Sequence, residues 1–381
     1  MIYNILRKDI LLADIDMKDG SVRIYKSLPI GLNLINTNKY TDISKRVNNI
    51  INFKNWCAGR LLMMSQKHAK KICNALSLSQ DMNDDNKMKI ALVYKCTTLQ
   101  DAYWVKLEKD KSEYKDVSLF QNKSNNILTP VSLRGESSIF NKVLKNWVDA
   151  GTDGTLAKSW VRENNKYYLL KDSDNSDGEV LASKVGIELG IDCVKYSKED
   201  NSNIIKSECF TDEDYGFITF NTLVRQNPNA IDYIKDNFLE DYANLAVFTY
   251  LTGNEDLHDK NWGVKIDNNT GEIIGLAKNF DFDGCFMNSY SQSENNKFLP
   301  ECTFIDNNNH TINYFYEWDI DSDMSIEGPT IKEAAIKYAP FSSINFDIDL
   351  ELIPDKFKNT FIERLEAIQI IKDKDNIQID L

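Results

Sequence analysis

The spacing of apolar and polar residues divides the chain into three regions. Between residues 42 and 78, apolar residues recur every three or four positions, which predicts helices. The run "MKIALVYKCTT" that follows at 88–98 is interpreted as a buried strand. The stretch 118–138 is polar and rich in turn-forming residues, so it predicts a domain boundary near residue 135. We therefore predict an N-terminal accessory domain at 1–135.

The next region changes to strand-like spacing. The stretch 141–173 predicts a strand, a glycine turn, a second strand, a tight turn at Asn164-Asn165 and a third strand, since Asn tolerates the positive φ that hairpins need. The stretch 177–191 has helical spacing and ends at Gly190, and two short strands follow. Beyond about residue 225, helical spacing dominates. These patterns predict a β-rich lobe with one helix at 136–212 and an α-rich lobe at 213–381.

Composition restricts the possible functions. The 381 residues include 45 Lys and Arg against 58 Asp and Glu, a net charge of −13, so we expect no direct binding to nucleic acid and no binding to an anionic membrane. No apolar run reaches the roughly 18 residues that span a bilayer, and the charges at Arg7–Asp9 argue against a signal peptide. Seven scattered cysteines without a C-x-x-C pair are typical of reduced thiols in a cytoplasmic protein.

The stretch from Tyr250 to Gly284 carries the densest candidate chemistry. Asp256 and Asn261 lie five positions apart in a loop after a buried helix, and a hairpin is expected to return Asp281 beside them. Phosphoryl transfer from ATP requires oxygen ligands for Mg²⁺ and a carboxylate that orients the attacking hydroxyl. We therefore predict that Asp256 is the catalytic base or hydroxyl-orienting residue and that Asn261 and Asp281 are metal ligands.

Three neighbours of these residues have two interpretations each. Lys260 is predicted to contact the γ-phosphate in catalysis, with a surface role as the alternative. Asp283 could assist the metal or cap the next turn, and the cap is favoured. His258 is interpreted as a hydrogen-bonded part of the loop rather than a carrier of protons, because its neighbours already supply the carboxylate that the reaction needs.

Upstream residues fit the ATP-binding half of such a site. Lys171 ends the strand "YYLLK" and is predicted to contact the α- and β-phosphates, and Glu179 in the next helix could pair with it. Gly151 and Gly154 lie where a phosphate-covering loop is expected. Each feature alone also fits a structural hairpin, a surface lysine or a charge near a helix dipole. Their order along the chain, however, is the order of the kinase signature residues.

The sequence resembles the HipA-like serine/threonine kinases over residues 135–381. "TGNEDLHDKNWGV" matches the family's catalytic loop, with an Asp, a His two positions on and then Lys-Asn. "GLAKNFDFDG" resembles the family's metal loop, with Lys278 in place of a proline. "GEVLASKVGIELGI" resembles a helix that begins with Glu and ends with Glu-Leu-Gly.

The resemblance implies a two-lobed, protein-kinase-like α+β fold that follows the accessory domain along the chain. It implies ATP and Mg²⁺ as cofactors and a serine or threonine hydroxyl of a protein as the acceptor. The backbone from Glu208 to Phe210 is expected to bind adenine. Some members phosphorylate themselves in the glycine-rich loop, which makes Ser159 and Thr155 candidates for autophosphorylation. The accessory domain is a candidate site for a protein partner.

Two other functions remain open from the sequence. A small-molecule kinase of the aminoglycoside or choline phosphotransferase type also uses a D-L-H-x-x-N loop and an I-D-F-D metal loop. Those enzymes usually have His-Gly-Asp where this chain has Asn254-Glu255-Asp256, which favours the protein kinase. A catalytically dead kinase fold that serves as an interaction module is the second alternative, although such a protein need not retain Lys171 and Asp281.

Overall fold

The chain forms two compact units. The computed structural model describes residues 1–79, 83–122, 126–137, 154–200, 202–305, 311–312 and 325–379. The first unit consists of Met1–Asp172, Glu208–Ile218 and Lys265–Ile274, and the second of Ser173–Ser207, Thr219–Val264 and Gly275–Leu381. Within the described ranges, no helix has the length and apolar character needed to cross a membrane. The domain boundaries at 135 and 212 remain predictions.

A four-stranded antiparallel sheet lies at the centre of the first unit. Its strands, in the spatial order β3-β2-β1-β4, are β1 (Ile2–Arg7), β2 (Ile10–Asp16), β3 (Ser21–Ile24) and β4 (Tyr103–Leu107). Three helices accompany it: α1 (Ile43–Ala58), α2 (Ala69–Ala75) and α3 (Asp84–Val93). Apolar residues of the strands, including Ile5 and Ile15, join Phe53 and Ile72 of the helices in one buried core, which stabilises this part of the unit.

The prediction of a strand at 88–98 is wrong, because most of this run lies in helix α3. The side chain of Asn83 accepts a hydrogen bond from the backbone N–H of Asn86, and Asp84 and Asp85 occupy the first turn, where carboxylates favour a helix. A short apolar run fits a buried strand and a buried helix equally well. The capping sequence Asn-Asp-Asp was therefore the more informative signal.

The remainder of the first unit contains the predicted hairpin. Its strands are β5 (Lys158–Glu163) and β6 (Lys166–Asp172), which pair antiparallel around Asn164 and Asn165, at φ 49° and 66°. This confirms the Asn-Asn turn, whereas the strand predicted before it lies outside the described residues. The unit also contains two short helices, α4 (Tyr114–Val117) and α5 (Thr129–Arg134). Helix α5 packs against β5 and β6.

The second unit is predominantly helical. Its helices are α6 (Ser176–Glu188), α7 (Phe220–Gln226), α8 (Ala230–Asn237), α9 (Leu239–Thr252), α10 (Ile331–Tyr338) and α11 (Asp355–Ile379). The predicted helix ends near Gly190, which has φ 75° and so adopts the left-handed conformation expected after a helix. Helix α9 is buried along most of its length and packs against α6, α10 and α11, which makes it the central element of this unit.

The remaining strands form small antiparallel arrangements. Strands β7 (Tyr196–Lys198) and β8 (Ile204–Glu208) form a hairpin. Strands β9 (Tyr215–Thr219), β10 (Gly263–Asp267) and β11 (Ile273–Leu276) form a sheet in the order β11-β10-β9. Strands β12 (Thr303–Ile305), β13 (Thr311–Ile312) and β14 (Ser325–Glu327) form another. The prediction of mixed α and β structure is confirmed, and the two-lobed arrangement remains a prediction.

Candidate functional site

The loop that carries Asp256 begins directly after helix α9. Gly253 ends the helix at φ 62°, and an added Cβ there would lie 2.5 Å from the hydroxyl oxygen of Ser293. Arg364 of α11 donates hydrogen bonds to the main-chain carbonyls of Tyr250 (2.7 Å) and Tyr290 (2.6 Å). The last carbonyls of a helix lack partners within it, so this buried guanidinium caps α9 and fixes the point from which the loop departs.

Asp256 and Asn261 are in direct contact. The side-chain amide Nδ2 of Asn261 donates to the main-chain oxygen of Asp256 and to its carboxylate Oδ2, at 2.9 Å in both cases. Asn261 is buried, whereas about half of the Asp256 side chain is exposed. Both contacts use the amide nitrogen of Asn261 and not its amide oxygen. The structure therefore brings these two predicted residues together.

His258 and Lys260 lie in the same loop. The backbone N–H of Lys260 donates to Nδ1 of His258 at 3.2 Å, and Nε2 of His258 lies 3.9 Å from Oδ2 of Asp256. Nδ1 of His258 is therefore the acceptor of a hydrogen bond from the backbone of its own loop. The interpretation of His258 as a hydrogen-bonded part of the loop remains a prediction. The Lys260 side chain is partly buried.

The loop that carries Asp281 is held by aromatic side chains of the second unit. Asp281 has φ 59°, a left-handed conformation that is uncommon outside glycine, and its N–H donates to the hydroxyl of Tyr196 at 3.1 Å. Phe282 is buried edge-to-face against Tyr196 and Phe248, with ring centroids 5.4 and 5.3 Å apart. These contacts fix the unusual backbone that presents Asp281, a feature common at functional sites.

The Asp256 and Asp281 loops pack directly against each other. The N–H of Glu255 donates to the carbonyl of Gly284 at 3.2 Å. A Cβ added to Gly284 would lie 2.6 Å from the backbone nitrogen of Asp256 and 2.7 Å from the side-chain oxygen of Asn254. Only glycine allows this approach, so Asp281-Phe282-Asp283-Gly284 lies against Asn254-Glu255-Asp256. The predicted residues Asp256, Asn261 and Asp281 therefore belong to two loops that pack together.

The start of helix α6 lies against the same loops. The side-chain amide of Asn175, just before the helix, donates to the carbonyls of Asp283 and Cys285, each at 2.8 Å. Glu179, in the first turns of α6, is fully buried. Burial raises the pKa of the Cys285 thiol well above its usual value. The negative charges of Glu179, Asp283 and Asp256 raise that pKa further.

Asp259 and Asn175 each link one of the two packed loops to the start of a helix, and neither was predicted from the sequence. Burial raises the pKa of Asp259, whose carboxylate accepts a hydrogen bond from the side chain of Asn221. The N–H of Asn221 also donates to the carbonyl of Asp259 at 2.7 Å, which ties the start of α7 to the loop. The second acidic residue of "DLHDKN" therefore anchors the loop. An Asx residue before a helix was the available signal for Asn175.

In the first unit, Lys171 lies opposite a second buried lysine. The β5–β6 register pairs Lys171 with Lys158, and their exposures are 3% and 8%. Like charges directly opposite each other are unfavourable, and buried ammonium groups require anionic or dipolar surroundings. The sequence reasoning missed Lys158, although counting outward from the two-residue Asn164-Asn165 turn predicts this pair.

The glycine-loop residues fall partly within the described chain. Gly154 has φ 102°, a conformation that favours glycine, and a Cβ there would lie 2.6 Å from Nζ of Lys158. Gly151 lies outside the described residues. Thr155 is exposed, whereas Ser159 is fully buried in β5 and donates a hydrogen bond to the hydroxyl of Thr129 at 3.2 Å. Thr155 is therefore the more accessible of the two hydroxyls.

The segment after β8 is fixed within the first unit. The N–H of Cys209 donates to the carbonyl of Tyr167 at 2.9 Å, and the side chain of Glu208 forms an exposed ion pair with Lys166 at 2.6 Å. Phe210 packs edge-to-face on Phe217, with ring centroids 5.4 Å apart. The backbone around Glu208 and Phe210 is thus held at the end of the hairpin, and adenine binding there remains a prediction.

The donor set of the two packed loops fits magnesium. Mg²⁺ prefers oxygen ligands and is usually held by one or two carboxylates together with phosphates and water. Asn261, Asp281 and Asp283 supply such oxygens. Within the residues that the structure describes, no three His, Cys, Asp or Glu side chains form a metal site by themselves. An ion that arrives with nucleotide phosphates needs no such group, so the residues fit Mg²⁺ in the form that phosphoryl transfer uses.

Comparison with protein-family models and with curated proteins finds no match. Among solved structures, the chain is similar to one from the Shewanella oneidensis MR-1 toxin–antitoxin complex of HipA, HipB and operator DNA, at 10% identity and a TM-score of 0.50, covering 98% of this chain and 97% of that chain. The Helicobacter pylori proinflammatory kinase CtkA matches at 17% identity and a TM-score of 0.38, covering 59% of this chain and 95% of that chain. The first similarity shows a shared fold.

Proposed function

We propose that the protein is a HipA-like serine/threonine protein kinase that depends on ATP and Mg²⁺. The observation that carries this proposal is the packing of Gly284 on Asp256, which places an Asp-Phe-Asp-Gly loop against a loop whose Asp and Asn are hydrogen-bonded to each other. Two acidic loops held in contact bring several like charges together, which is unfavourable unless a cation is bound there. The shared fold with the Shewanella chain supports the proposal.

Each residue has a definite role in the proposal. Asp256 orients the acceptor hydroxyl and accepts its proton, and Asn261 fixes the Asp256 carboxylate through the hydrogen bond of 2.9 Å. The amide oxygen of Asn261 and the carboxylate of Asp281 would hold Mg²⁺, which neutralises phosphate charge when bound. Lys158 and Lys171 bind phosphate oxygens. The pairing of Lys171 with Glu179 remains a prediction from the sequence.

Transfer of labelled γ-phosphate from ATP tests the proposal. The full chain is incubated with ATP and Mg²⁺ alone, then with generic protein substrates, and then with amino sugars. We expect incorporation into protein that is lost with excess chelator and falls by at least about a hundredfold in Asp256→Asn. Labelling of the amino sugars alone would instead identify a small-molecule kinase.

Thermal unfolding with ATP and Mg²⁺ separates a dead kinase fold from an active one. Stabilisation by the nucleotide together with turnover supports the proposal, since a ligand that binds the folded state raises its stability. Stabilisation without any turnover would indicate an interaction module, and the absence of both effects would contradict the proposal altogether.

A further inference from the structure

The segment Gln66-Lys67 of the N-terminal region contacts both strands of the β5–β6 hairpin, next to the buried pair Lys158 and Lys171. The backbone N–H of Lys67 donates to the carbonyl of Thr155 at 2.7 Å. The side-chain amide of Gln66 donates to the carbonyl of Lys158 at 3.4 Å. The ammonium of Lys67 lies 3.1 Å from a carboxylate oxygen of Asp172, the residue after Lys171. Two adjacent residues therefore contact the start of β5 and the end of β6.

These contacts connect parts of the chain that the sequence assigns to different domains. The two side-chain contacts join residues that are 92 and 105 positions apart. Gln66 is buried with an exposure of 3%, and His68, which follows, has φ 70°, a conformation that non-glycine residues seldom adopt. The bend at His68 directs the chain into α2 immediately after these contacts, so the backbone on this side of Gln66 and Lys67 has a defined conformation.

We propose that Gln66 and Lys67 are positioning residues for the phosphate-binding lysines. Lys158 and Lys171 are buried on opposing strands, so the position of each ammonium group depends on where the ends of β5 and β6 lie. Gln66 holds the carbonyl of Lys158, and Lys67 holds Asp172 next to Lys171. The N-terminal region thereby sets the affinity for the phosphates of a nucleotide. This inference rests on the proposed function.

The variants Gln66→Leu and Lys67→Met each remove one side-chain contact with little change in size. We expect each to weaken binding of Mg²⁺-ATP by about three- to tenfold, the usual contribution of one buried hydrogen bond or one surface ion pair. The Michaelis constant for ATP should rise by the same factor while kcat stays close to wild type, because binding of the ground state and of the transition state is weakened equally. Lys67→Arg should retain wild-type affinity.

Lys70→Met is the matched control. Lys70 is exposed on α2 and makes no ion pair within the part of the chain that the structure describes, so the variant removes the same charge without the contact. The measurements are calorimetric titration of the full-length protein with Mg²⁺-ATP, steady-state kinetics and thermal unfolding.

The possible results separate the two proposals. Loss of affinity in Gln66→Leu and Lys67→Met, with Lys67→Arg and Lys70→Met unchanged, supports the positioning role. Wild-type affinity in both variants, or an equal loss in Lys70→Met, overturns it and leaves the kinase proposal intact. A wild-type protein that neither binds nor consumes ATP overturns both. A lower melting temperature with unchanged affinity would show that the segment is only a structural brace.

Discussion

Replacement of Gly284 by alanine tests the contact between the two acidic loops. The added Cβ would lie 2.6 Å from the backbone nitrogen of Asp256, 2.7 Å from Oδ1 of Asn254 and 2.9 Å from Cβ of Asp256. A methyl carbon keeps roughly 3.5 Å from such atoms, so the loops must separate by roughly 0.9 Å. Overpacking of this kind costs about 1–3 kcal/mol in the free energy of unfolding.

The same shift should affect phosphoryl transfer, because Asp256 moves relative to Asp281. A displacement of this size lowers turnover by up to about a hundredfold. Chemical denaturation and γ-phosphate transfer measure the two effects on one preparation. Gly190→Ala is the control, since nothing lies within 4 Å of its Cβ position and only its φ of 75° opposes the change. That variant should lose about 1 kcal/mol of stability and no activity. Wild-type stability and turnover in Gly284→Ala would refute the loop contact.

Three further outcomes follow from the contacts described. Arg364→Leu removes two buried hydrogen bonds from a charged donor to main-chain carbonyls, and urea denaturation should show a loss of about 2–4 kcal/mol. A hydrogen bond from Lys95 holds the pKa of Asp110 well below its usual value, so this contribution to stability is present at neutral pH and is lost as the pH falls below about 4. Asp110→Asn should therefore cost about 1 kcal/mol near neutrality and progressively less as the pH falls below about 4. If the protein phosphorylates itself, mass spectrometry should find the phosphate in Ser159→Ala but not in Thr155→Ala.

Local patterns were sufficient for most helices and hairpins. The Asn164-Asn165 turn, the helix that ends at Gly190 and the long helix before Gly253 each carry their own end signals in neighbouring residues. The wrong strand prediction at α3 also has a local cause, because the apolar residues at 88–93 fit a strand when the helix cap at Asn83 is left out. Element type is thus predictable where both the periodicity and the ends are considered together.

Long-range contacts within the site could not be predicted in the same way. The sequence places Asp256, Asn261 and Asp281 in two loops, but the close approach of Gly284 depends on backbone positions that no spacing encodes. The hydrogen bond from Asn261 to Asp256 depends likewise on the turn between them. The contacts of Gln66 and Lys67 with the hairpin join residues about a hundred positions apart and have no sequence pattern.

Calorimetric titration with ATP, with and without Mg²⁺, tests most directly whether the packed loops hold a metal–nucleotide complex. Asp281→Asn is the variant of choice, since asparagine tolerates the left-handed φ of 59° and removes only the charge. Asp347→Asn, at an exposed position of the same unit, is the control. We predict that Mg²⁺ strengthens ATP binding in the wild-type and control proteins and has no effect in Asp281→Asn. Equal strengthening by Mg²⁺ in all three proteins would contradict the account.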